Sequence, residues 1–421
     1  MRGFLLITLA FCPVFRAQES DSDRMGVAAR LKTDERIAAY QKLAASKPED
    51  LHYQNLLAGA YIQKMRETTD FGYIDRAEKL VNLTLRTEPG NYEALRLRSE
   101  IGLERHHFSE VAGFSRQMIG IAPDDSWNWG TLGDALMEMG QYEEAAGAYQ
   151  KMMSLRPNQA SYNRASYYRW VMGDAEGAIS IMQRAVEAGS SSPENTAWCL
   201  VDLGNLYFKT GRLSQAAEAF ATASRTFPGY HPALAGLGRV LSAQGNLPAA
   251  IENFQRAQAA VPMPEYAEAL ADLYERTGKP REALRQNQLL DVVDRMTVAA
   301  NEKTNRNLAL VFADQDRKLE RALDLARAEL DVRGDVYTYD ALAWALYKNH
   351  RYAEAEEAAA KAMRFGTPEP SFYFHAAMIA NALGNAGAAV RNFQKALDLN
   401  PHFDSRSVEI ASVILRTLRH L

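Results

Sequence analysis

The residues in this chain that could do chemistry are few and poorly spaced for it. The eight histidines are His52, His106, His107, His231, His350, His375, His402 and His420. No two of them stand four apart around a glutamate, the spacing that places two zinc ligands on one helix face. Two cysteines, Cys12 and Cys199, are too few for a metal knuckle or a disulfide framework, and Cys199 reads as a small buried residue of a helix. The chain has no nucleophile elbow, phosphate-binding loop or dinucleotide fingerprint. The paired acids Glu143-Glu144 and Glu356-Glu357 fall on solvent faces, His106-His107 on an inter-helix turn, and His375 inside a helix as a packing residue. The expectation is therefore a non-enzymatic chain without metal or cofactor.

The elements that carry these residues are helices. Alternating β-branched runs are scarce, and Ala, Leu, Glu, Arg and Gln, all good helix formers, predominate. The 421 residues include 48 Lys plus Arg and 52 Asp plus Glu, a net charge of −4, with 24% charged and 47% hydrophobic residues. This composition can fund a folded core and excludes a disordered chain. Its near-neutral balance offers no footprint for nucleic acid. At roughly 150 residues per domain the length alone suggests about three domains.

The start reads as an export signal. Arg2 precedes an apolar run from Phe4 to Phe15, and a polar segment from Gln18 to Arg24 follows. A dozen residues is short of the roughly 20 that cross a bilayer as a helix. Residues 1–18 are expected to be a cleaved leader ending near Ala17. An uncleaved N-terminal anchor, or a lipid on Cys12, is the alternative. The expected location is periplasmic or secreted, with no membrane span once the leader is removed.

A ruler of 33 or 34 residues runs through the rest. The skeleton Trp129-x-x-Leu132-Gly133-x-x-Leu136, Gly140, Ala145, Tyr149, Pro157 returns as Leu200, Leu203-Gly204, Tyr207, Gly211, Ala216, Phe220, Pro228. It returns again as Leu234, Leu237-Gly238, Leu241, Gly245, Ala250, Phe254, Pro262, and late as Tyr373, Ala376, Ala377, Ala380, Gly384, Ala389, Phe393, Pro401. The small residue opening each second helix forms a ladder: Ala77, Val111, Ala145, Ala178, Ala216, Ala250, Ala283, Ala322, Ala355 and Ala389. This pattern resembles the tetratricopeptide repeat, a hairpin of two helices.

The resemblance implies an all-α, right-handed α-solenoid of about ten hairpins. The expected layout is a linker and capping helix over 19–50, the array over 51–402, and a second capping helix over 403–421. The two long steps of the ladder and the missing turn glycine at Arg317 predict irregular stacking, with a seam near 290–320. In the family, the second, fifth, ninth and twelfth positions of each first helix face the concave groove. Here that stripe gathers Trp127, Asn163, Tyr167, Trp170, Trp198, Asn205, Phe208, Arg239, Trp344, Tyr347 and Phe374. The same positions carry Glu93, Glu100, Glu104, Asp134 and Glu138 early, and Glu265, Glu268, Asp272 and Glu275 later. Two roles are open to the aromatics, contact with a partner or filling of gaps between repeats. Acidic walls around an aromatic centre would suit a basic or amphipathic segment. The family's clamp for chaperone tails needs cations where Glu93, Glu100 and Asp134 stand, so that subclass is rejected. The function expected is a scaffold holding a peptide or helix of a protein partner, with neither nucleic acid nor a small-molecule substrate. The alternative is an exported accessory subunit of an envelope assembly, secretion or polysaccharide-export machine.

Overall fold

The computed structural model describes residues 32–190, 192–299 and 304–419, and the expected leader lies outside them. Among the described residues there are 22 helices and no strand. A lone α1 (Thr33–Ser46) is followed by the hairpins α2–α3 (Leu51–Thr68, Gly72–Thr87), α4–α5 (Tyr92–Glu104, Phe108–Ile121) and α6–α7 (Ser126–Glu138, Tyr142–Leu155). Next come α8–α9 (Gln159–Val171, Ala175–Ala188), α10–α11 (Pro193–Lys209, Leu213–Thr226) and α12–α13 (His231–Ala243, Leu247–Ala260). The last four hairpins are α14–α15 (Pro264–Arg276, Pro280–Ala299), α16–α17 (Arg306–Asp314, Leu319–Leu330), α18–α19 (Val336–Lys348, Tyr352–Ala362) and α20–α21 (Pro370–Ala382, Ala386–Leu399). The terminal helix is α22 (Ser405–Arg419).

Every residue of the small-residue ladder is buried. Each hairpin closes because a residue without bulk on one helix receives an aromatic ring or a branched side chain from the other. A Cβ added at Gly133 would lie 2.4 Å from Tyr149, one at Gly204 2.6 Å from Phe220, and one at Gly102 2.6 Å from Val111. Non-bonded carbons prefer 3.5–4.0 Å, so these sites hold no larger residue without movement. Between the two helices the chain passes through the left-handed region. Glycine takes that place at Gly140, Gly173, Gly211, Gly245, Gly278 and Gly384, and histidine takes it at His106 and His350. Histidine is one of the few non-glycine residues enriched there. The eighth hairpin, expected to be irregular at Arg317, instead uses Asp316 and Lys318, both with positive φ.

The chain separates into two compact units. Among the described residues, one holds 165–186 and 196–419, and the other 32–164 and 187–195. The division falls around 164–196. Around 290–320 the hairpins stay packed: Leu290, Leu308, Phe312, Ala326, Trp344 and Phe374 share one apolar cluster. The lengthened step is absorbed by α15, whose 20 residues reach past the usual end of a second helix.

The unit ending at Leu421 is closed on itself. Thr367 donates its hydroxyl to the Val171 carbonyl at 2.7 Å, and the Asn400 amide donates to the Phe208 carbonyl, also at 2.7 Å. Trp170 Nε1 donates to the Tyr337 hydroxyl at 2.9 Å, and Lys209 Nζ lies 2.6 Å from Glu369 Oε2. Gly173, at φ +86°, lies so close to this junction that a Cβ would be 2.7 Å from the Phe365 carbonyl oxygen. Early and late hairpins of this unit therefore meet, and their first helices surround an interior space.

Gly133→Ala is expected to lower the urea midpoint by the equivalent of about 1–3 kcal/mol, through overpacking against Tyr149. Gly147→Ala, on an exposed face with nothing within 4 Å, is expected to raise it by about 0.5–1 kcal/mol. Equal effects of the two would contradict the packing argument.

Candidate binding cavity

The interior space of the closed unit is a cavity of about 1340 Å³, lined mainly by the first helices α10, α12, α14, α16, α18 and α20. Six of the eleven groove residues read from the sequence line it: Asn205, Phe208, Arg239, Trp344, Tyr347 and Phe374. Arg239 Nη2 donates to Asn205 Oδ1 at 2.5 Å, and its guanidinium lies over the Phe208 ring at 5.4 Å. Trp344 Nε1 donates to Asp314 Oδ1 at 2.7 Å. Both faces of Trp344 are taken, since it stacks on Tyr347 at 4.9 Å and on His375 at 4.2 Å. Phe374 is 2% exposed and packs against Trp344, Phe393 and Phe403. The aromatic wall is thus largely core, with Tyr347 its half-buried edge.

The other five residues lie elsewhere. Tyr167, Trp170 and Trp198 belong to the same unit but do not line the cavity. Trp198 is 1% exposed, and Trp170, 2% exposed, serves the closing junction through Tyr337. Trp127 and Asn163 belong to the other unit, both buried, with the Arg96 guanidinium 4.6 Å above the Trp127 ring. Of the two roles open to these aromatics, burial of Trp127, Trp170 and Trp198 accords with the filling of gaps between helices. The three tryptophans are buried, because large apolar surface is more stable packed than wet, whereas Tyr167 is half-buried.

The early acidic wall also differs from expectation. Asp134 is fully buried, bound by Arg164 at 2.6 and 2.7 Å and by the Tyr149 hydroxyl at 2.9 Å. Burial pushes its carboxyl up to about 6, against the pull of Arg164. It is a structural ion pair. Breaking such a pair from one side costs about 3–5 kcal/mol, because the remaining charge stays buried.

The later acids, by contrast, come together. Glu265, Glu268, Asp272 and Glu275 of α14 line the cavity with Asp314, Asp340 and Asp404. Burial pushes Glu265 up to about 7 and Asp314 up to about 6. Glu268 is raised well above its ordinary range, by burial and then by the charges of Asp314, Asp404, Glu265 and Asp272. Asp272 is raised by burial despite Arg276. Burial works against a charge on His375, but Asp340, 3.0 Å from its Nδ1, outweighs it and raises the imidazole. Asp314 and Asp340 occupy the twelfth and fifth positions of their first helices, so the stripe rule that found α14 contains them as well. Asp404 follows the terminal Pro401 in the link to α22 and carries no repeat signal.

Among the described residues no group of His, Cys, Asp and Glu is placed to hold a metal ion. No described helix is long and apolar enough to cross a membrane.

The raised carboxylates fix the sign of the pH dependence. Glu265, Glu268, Asp272 and Asp314 bind protons more tightly when folded than unfolded. The unfolded chain therefore deprotonates first as pH rises from about 4, and stability falls up to about pH 7. His375, also raised, contributes stability that is lost in the same direction. The melting temperature should be higher at about pH 5 than at about pH 7.5, and Glu268→Gln should raise the value at the higher pH. A melting temperature that climbs over this interval and is indifferent to Glu268→Gln would contradict the assignment.

Profiles of the tetratricopeptide repeat match residues 127–159, 157–228, 201–263, 336–366 and 370–403. No curated protein matches the chain. Among solved structures, the APC/C hetero-tetramer Cut9–Hcn1 is similar at 16% identity, over 94% of this chain and 68% of that one, with a TM-score of 0.51. The human IFIT1 dimer with PPP-AAAA is similar at 12% identity, over 90% and 99% of the two chains, with a TM-score of 0.45. At 16% identity the likeness to Cut9–Hcn1 speaks for the fold alone, and the likeness to IFIT1 carries no argument. The profile matches and the ten hairpins in the register of the sequence ladder make this chain a member of the tetratricopeptide-repeat family.

Proposed function

We propose that this protein is a protein-interaction scaffold rather than an enzyme, and that it holds a segment of a partner in the cavity of its closed unit. The cavity itself is the observation that carries this reading. Its roughly 1340 Å³ exceeds the roughly 300–1,000 Å³ of ordinary small-ligand sites. It offers room for several residues of an extended peptide and none for a folded domain. Hairpin repeats contribute one helix each to such a surface, so contacts accumulate along a bound segment rather than at one catalytic point. The leader read from the sequence would put this scaffold in the periplasm or outside the cell, where an envelope assembly is one setting for it.

A photocrosslinking residue at Met378, on the cavity wall, should trap a discrete partner in cells producing the full chain. The same residue at Leu284, exposed and away from the cavity, should not. Trapping from Leu284 with none from Met378 would overturn the assignment of the inner surface.

A further inference from the structure

We infer that the acidic end of this cavity is a receptor for a cationic side chain, arginine or lysine, carried on the partner segment. This rests on the reading of the cavity as the partner site and adds the chemistry of the occupant.

Glu268 is the centre of the argument. Among the described residues it has no hydrogen-bond or ion-pair partner, although it is half-buried on the cavity lining. The Oε2 atom of neighbouring Glu265 is a buried acceptor that is also unmatched. Its Oε1 accepts from Asn307 at 3.2 Å. Cations near the cavity are committed to other groups. Arg239 is bonded to Asn205, Arg317 to Asp291, and Lys348 to Asp316. Arg276 divides its donors among Asp272, Ser242 and Ser405, and Arg406 reaches the Asp314 backbone carbonyl. His375 is engaged by Asp340, and Tyr347 brings a phenol rather than a charge. Asp404 and Glu275 add further negative charge, and His402 sits beside Asp404 at the edge. Lys209, also on the lining, is paired with Glu369, so among the described residues no cation is paired with Glu268.

A cluster of this kind has two stable states. In the empty cavity some of its carboxyls keep their protons, because partial burial and neighbouring like charges resist ionisation. With a cation seated between them the carboxylates ionise, and the displaced protons leave to solvent. A buried charge is tolerated only when paired, so the empty acidic end and a desolvated guanidinium or ammonium satisfy the same requirement in each other. An acidic segment finds no such match: it would add charge to a cluster already holding protons against ionisation.

The test is calorimetric titration of the full chain with a terminally blocked tetra-arginine peptide, in two buffers of different ionisation heat. Binding should tighten by about tenfold per pH unit for each proton expelled, between about pH 6 and the carboxyl pKa near 7. The observed heat should depend on the buffer by the amount that proton release requires. Glu268→Gln and, independently, Asp314→Asn should weaken binding about five- to tenfold and reduce the proton count, with helicity by circular dichroism unchanged. Blocked tetra-glutamate should not bind. Binding of tetra-arginine with buffer-independent heat and full affinity in both variants would overturn the inference and leave the scaffold reading intact. So would binding of tetra-glutamate in its place, or binding of neither peptide. Only the crosslinking result from Met378 and Leu284 decides the scaffold reading itself.

Discussion

Close approach of two helices over a residue without bulk is the constraint on which the rest of the molecule depends. Alanine at the start of nine of the ten second helices and glycine at Gly133, Gly204 and Gly238 let Tyr149, Phe220 and Phe254 lie directly on helix backbone. A hairpin built this way has its outer apolar faces still uncovered, and only the next hairpin covers them. Repetition then follows from burial, and the first helices come to lie side by side along one surface.

In the unit that ends the chain, this surface is bent round until it meets itself. The junction is made by a handful of directed bonds: Thr367 to Val171, Asn400 to Phe208, Trp170 to Tyr337 and Lys209 to Glu369. Gly173 and Gly211 sit at the junction, where both the left-handed turn and the nearby carbonyls of Phe365 and Leu399 leave no space for a side chain. Closure changes the meaning of the charges inside. On an open groove, carboxylates such as Glu268 and Asp314 would be solvated and ordinary. Brought together on this lining, Glu268 and Asp314 are raised above the ordinary carboxylate range by burial and by neighbouring carboxylate charge.

Much of this was legible in the residues. The ladder from Ala77 to Ala389 is a backbone requirement, so it appears in the sequence as identity at fixed spacing and it locates all ten hairpins. The acidic stripe Glu265, Glu268, Asp272 and Glu275 was equally legible, since helical periodicity alone places it on one face. Asp314 and Asp340 went unread although the ladder residues Ala322 and Ala355 place them on the same stripe. What periodicity does not encode is curvature. Contacts such as Asn400 with Phe208 join residues almost two hundred positions apart and carry no local signal. For the same reason Trp170 and Trp198 read as groove residues, when one serves the junction and the other the core.

The closed form of this unit is the claim from which the cavity, its raised carboxyls and its proposed occupant all follow. Spin labels at Asp174 and Arg364, exposed positions on either side of the junction near Gly173, test it by a pulsed dipolar distance measurement on the full chain. A single narrow distribution at short distance is the result expected. A long or broad distribution, the signature of an open solenoid turn, would contradict it.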